Sequence, residues 1–164
     1  MRKTLAICLL LPVLALAFAG CGSGKMLPTP AACQTTPEIW LGALASAPDQ
    51  VLIEEGTPIS DCLPPDQSAA QQEEVGRTAV EVATTLSASI KSSPGGGKFE
   101  TADQAALMAG YLVGALEKAA GETDGIHDTL VQRVEAAATN GLDGASQEVQ
   151  TEYQAGYQAG LDKG

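Results

Sequence analysis

The chain has 164 residues, 20 acidic and 9 basic, with a formal net charge of −11, one histidine and four cysteines. That length holds one domain core and not comfortably two. The acidity argues against nucleic acid and anionic lipid surfaces as partners, because neutralising phosphate takes clustered Lys and Arg. It suits the solubility of an exported domain and leaves cationic partners open. A lone histidine excludes metal sites built on several.

Arg2 and Lys3 precede an apolar run from Leu5 to Ala19 that is too short for a spanning helix of ~20 residues. Basic start and short apolar run read as a signal peptide over 1–20. Its end, Phe18-Ala19-Gly20-Cys21, resembles the bacterial lipobox, with Phe18 where leucine is usual. The resemblance implies that Cys21 carries a thioether-linked diacylglycerol, joined by further acyl groups such as palmitate, and becomes the first mature residue. Acyl chains contribute ~0.8 kcal/mol per buried CH2, so two or three anchor a protein stably on the extracytoplasmic face of the cell membrane. Ordinary cleavage after Ala17-Phe18-Ala19, leaving a free exported protein, is the alternative. Loss of residues 1–20 removes two basic and no acidic side chains, so the mature chain is more acidic still.

With Cys8 in the signal and Cys21 lipidated, Cys33 and Cys62 remain. One leftover pair in an exported chain is expected to form a disulfide. Closing a loop of that length contributes roughly 3 to 4 kcal/mol on the loop-entropy account. No Cys-x-x-Cys pattern and no neighbouring histidine point to redox or zinc chemistry instead.

Residues 22–32, GSGKMLPTPAA, mix small residues with two prolines and show no hydrophobic period. Residues 21–32 are therefore expected as a flexible tether and 33–164 as a helical domain. At ~3.3 Å per residue the tether reaches only about 35 Å, which keeps the domain near its membrane. Thr36 and Pro37 read as the cap and first position of a short helix over 37–47, with Ile39, Trp40, Ala43 and Leu44 on one side. The stretch that follows reads as loop with a brief extended piece at 51–53, pinned by the disulfide. From 68 to 92, Val75, Ala79, Val82, Leu86 and Ile90 recur at three- and four-residue spacing, which predicts an amphipathic helix.

Ser92-Ser93-Pro94-Gly95-Gly96-Gly97 ends that helix, and no proline follows Pro94. Thr101 and Gln104 form a capping-box signature for a helix to about 120. Within it, AALMAGYLVGAL is apolar nearly all round but too short to span a bilayer, which marks it as the central buried helix. Another helix is expected to open near 124 and end at Asn140-Gly141, with Ile126, Leu130, Val134 and Ala137 in its apolar arc. The last, over 145–162, aligns Val149, Tyr153, Tyr157 and Leu161, with Gly156 and Gly160 on the same side. Glycine costs about 1 kcal/mol in a helix. Close backbone packing against Gly110 and Gly114, which repeat the spacing, is the expected compensation.

Catalytic signatures are sparse. Gly97-Lys98-Phe99 faintly resembles a phosphate loop, but Phe99 replaces the Ser or Thr and Ser92 the first glycine. Gly-x-Ser-x-Gly and His-Glu-x-x-His are absent. His127, near Asp124 and Asp128, is a candidate base only if the fold brings it to a nucleophile such as Ser60 beside Asp61; a structural histidine near a helix start is the competing reading. Trp40, Tyr111, Tyr153 and Tyr157 are candidates, with His127, to line a ligand pocket, although their helical spacing equally suits core packing.

GTPISDCL, GYLVGALEKA, GIHDTLVQRVEAA and YQAGYQAGLDKG are similar to segments of small exported proteins of high-GC actinobacteria that have no assigned activity. The expectation is an all-α bundle of four main helices plus a short N-terminal helix and one disulfide-stapled loop. It is expected to act without catalysis or cofactor, as an interaction module toward an envelope protein. A small-ligand binder is the alternative, and a hydrolase-type enzyme using His127 stands behind both.

Overall fold

A computed structural model describes residues 28–92 and 101–164. The expected signal peptide, Cys21, most of the expected tether and the glycine-containing stretch at 93–100 lie outside the described residues.

Helix starts follow local chemistry. The side chain of Ser68 accepts from the Gln71 backbone while Gln71 reaches back to Ser68, which opens a helix with two otherwise orphan donors satisfied. Thr101 accepts from Gln104 N at 3.1 Å and Ser146 from Val149 N at 3.3 Å in the same way. Thr36 makes no side-chain cap, and there Pro37 at the first position supplies the helical φ instead. The resulting helices are α1 (Pro37–Leu44), α2 (Ala69–Lys91), α3 (Ala102–Gly121), α4 (Asp128–Thr139) and α5 (Gln147–Lys163). The fold is all-α, four main helices with a short one before them.

The only strands among the described residues are β1 (Leu52–Ile53) and β2 (Thr57–Pro58), antiparallel with Leu52 opposite Pro58. Cys33 and Cys62, both fully buried, form the disulfide between the 3-10 turns Ala31–Gln34 and Ile59–Cys62, their Cα atoms 5.3 Å apart. Folded structure begins before Cys33: Thr29 and Ala32 are buried, and Gln67 Nε2 donates to Thr29 Oγ1 at 2.9 Å. Thr29 and Ala32, both within the expected tether, accordingly pack into the domain.

The α2 periodicity holds along its length, with Val75, Ala79, Val82, Leu86 and Ile90 all buried. Two expected core positions do not hold: Ile39 and Ile126 are exposed, Ile126 by 57%. α3 lies at the centre, in contact with α1, α2, α4 and α5. Its buried residues include Ala105, Ala106 and everything from Met108 to Leu116.

α3 and α5 approach backbone to backbone. A methyl built on Gly156 would fall on Leu107 O and 3.0 Å from Tyr111 N; one on Gly160 would fall on Tyr111 O and 2.8 Å from Ala115 N. Gly110 and Gly114 meet Tyr153 O and Tyr157 O reciprocally. The contacts advance in step along both helices, so α3 and α5 run in the same direction. Hydrogens in place of side chains admit this spacing and point at carbonyl oxygens, contacts worth ~0.5–1 kcal/mol each.

Candidate functional site

His127 lies one residue before α4 rather than within it. Asp124 and Gly125 take left-handed conformations at φ 50° and 82°, which delays the helix until Asp128. The ring is 1% exposed and both nitrogens are engaged. Nε2 lies 3.2 Å from Pro64 O, which only accepts, so Nε2 carries the proton and Nδ1 accepts from Gln72 Nε2 at 3.0 Å. His127 thus ties the loop before α2, α2 itself and the start of α4 together. No hydrogen bond among the described residues joins it to Ser60, which with Asp61 lines two clefts whose lining does not include the histidine.

The aromatic candidates are not brought to one pocket. Trp40 is 0% exposed in the core, its indole Nε1 unpartnered among the described residues. Tyr111 is equally buried and its hydroxyl accepts from Val51 N at 3.0 Å, fixing the segment before β1 onto α3. Burial pushes the Tyr111 phenol up. Tyr153 is buried too, and burial followed by the charge of Glu135 pushes its phenol up strongly.

Tyr157 reaches a cleft. Its hydroxyl donates to Glu117 Oε2 at 2.6 Å, and that bond, with burial and the charges of Glu117 and Glu135 behind it, pushes the phenol up to about 12. The cleft holds about 430 Å³ and is lined by Glu117, Asp128, Gln132, Glu135 and Tyr157 among others.

A larger groove runs between α2 and α4. Gln72 meets His127, Leu130 covers Gly76, and Lys91 Nζ donates to Asn140 Oδ1 at 3.1 Å, so these helices also run in one direction. The groove holds about 800 Å³. Arg77, Glu73, Glu81 and Val80 come from α2; Leu130 and Arg133 come from α4, with Ile126 at its lip. Arg77 and Arg133 are the only arginines among the described residues, and both are exposed. Sequence reasoning missed this juxtaposition. Its one signal was the scarcity of arginine in an acidic chain.

No group of three or more His, Cys, Asp or Glu side chains among the described residues is placed to hold a metal ion. No described helix is long and apolar enough to cross a membrane. No protein-family model, curated protein or solved structure matches the chain.

Proposed function

We propose that the protein is a lipid-anchored extracytoplasmic module that works by contact and not by catalysis. The observation that carries this reading is the order of Arg2 and Lys3, the apolar run, Ala19-Gly20 and Cys21, which supplies an anchor without a spanning helix. A disulfide sheltered inside the core suits an oxidising compartment. His127, Trp40, Tyr111 and Tyr153 are occupied in holding the fold. The α2/α4 groove is an open surface whose two arginines have no hydrogen-bond or ion-pair partner among the described residues, which favours it as the face for a protein partner in the envelope.

Fractionation of cells tests the anchor. The wild-type chain is expected in membranes, released by detergent and labelled by palmitate; Cys21→Ser is expected to lose the label. A label retained by Cys21→Ser would overturn the assignment. A second reading, a small-ligand binder, is favoured by the acid-lined cleft at Tyr157, which would select a cation. Thermal stabilisation of the purified chain by spermidine would support it.

A further inference from the structure

Five basic side chains fall among the described residues, and three have partners. Lys91 donates to Asn140, Lys118 Nζ donates to Gly164 O at 2.7 Å, and Lys163 donates to Pro48 O at 2.9 Å while facing Asp49. Arg77 and Arg133 have no hydrogen bond or ion pair among the described residues, although Glu73 and Glu81 line the same groove. Guanidinium is the cation best suited to bidentate pairing with carboxylate, and here both such groups face outward together.

We infer that the α2/α4 face is the contact between two copies of this chain. Glu73, Arg77 and Glu81 stand four residues apart on one face of α2, an alternating negative, positive, negative row. Crossing two such helices antiparallel about a two-fold axis sets Arg77 of one copy against Glu73 or Glu81 of the other, and symmetry repeats the pair. Arg133 from α4 faces the remaining glutamate. Ile126, Val80 and Leu130 supply apolar area between the charges.

Charge balance favours a second copy in this place. A chain with net charge −11 repels its like over most of its surface, but the groove carries two arginines against two glutamates. With 23 residues, α2 is ~35 Å long, enough to span a standard interface of about 800 Å² per partner. The dimer rests on the contact-module reading and names its partner. Anchoring both copies in one membrane raises their effective concentration.

The test is sedimentation of the full chain in detergent over a range of concentrations. Wild type is expected to form dimers. Arg77→Glu, with an all-negative row, and the double variant Glu73→Arg/Glu81→Arg, with an all-positive one, are each expected to dimerise at least 10-fold more weakly. Mixed together they are expected to form a heterodimer. All three substitutions replace exposed side chains, and matching thermal melts check that the fold is kept. A wild-type chain that stays monomeric, a dimer indifferent to Arg77→Glu, or a mixture that fails to pair would each overturn the proposal. None of these results bears on whether Cys21 is acylated, so the dimer and the anchor fail separately.

Discussion

Replacing Gly156 with alanine probes the backbone contact that joins α3 to α5. The added methyl has nowhere to go: Leu107 O and Tyr111 N, at 3.0 Å, belong to a helix backbone that cannot rotate aside like a side chain. The helices must part, and parting also loosens the contacts at Gly110, Gly114 and Gly160. Forcing atoms into a packed interface costs about 1–3 kcal/mol, and the rigidity of both obstacles puts this site at the upper end. Alanine returns about 1 kcal/mol of helix propensity. The net loss is about 2 kcal/mol, a fall in Tm of roughly 6–8 °C for a domain of this size. Gly42, exposed in α1 with nothing within 4 Å of a built methyl, is the control. There the same substitution should raise stability by about 0.5–1 kcal/mol. Circular dichroism melts of both variants read the difference in sign. Adding Gly110→Ala to Gly156→Ala should cost less than Gly110→Ala alone, because the helices have already separated. A Gly156→Ala protein that melts with or above wild type would refute the close approach.

All three tyrosines should resist ionisation in the folded chain. Folding favours their neutral forms, so this contribution to stability is complete below pH ~10, the ordinary phenol value, and is lost as the pH rises through the raised folded values. The Tyr157 phenol is pushed up to about 12. Absorbance near 295 nm should stay flat through pH 10 in the native protein and rise there in urea; a native step at pH 10 would contradict the Tyr157–Glu117 bond. His127→Ala removes one partner each from Gln72 and Pro64 and should cost about 1–3 kcal/mol for the groups left unpaired, before any cavity. A urea midpoint equal to wild type would show those bonds to be idle. Removing the disulfide as Cys33→Ala/Cys62→Ala should lower stability by about 2–5 kcal/mol in the same assay.

Much of the fold was legible in the sequence because long amphipathic helices announce themselves by period. Val75 through Ile90 mark α2, and the nearly all-apolar stretch around Tyr111 marks the helix that others surround. The glycine pairs were legible through their propensity cost, which close packing must offset. Apolar period was blind to the turn at Asp124 and Gly125. It placed Ile126 in a helical arc, whereas a left-handed pair there ends one geometry and delays the next, leaving Ile126 outside. The β1–β2 hairpin, two residues a side, is shorter than any pattern a period can report. The α2/α4 groove was hidden for another reason. Which helices are neighbours, and that these two run in the same direction, is decided by packing among all five, so Arg77 and Arg133, far apart in sequence, gave no sign of sharing a surface.

Attachment through Cys21 is the claim on which location and mode of action both depend, and an intact mass of the chain extracted gently from its own membranes tests it most directly. The account predicts a polypeptide that begins at Cys21, carries a diacylglycerol and any further acyl group, and has no free thiol because Cys33 and Cys62 are joined. An unacylated mass beginning at another residue would contradict it.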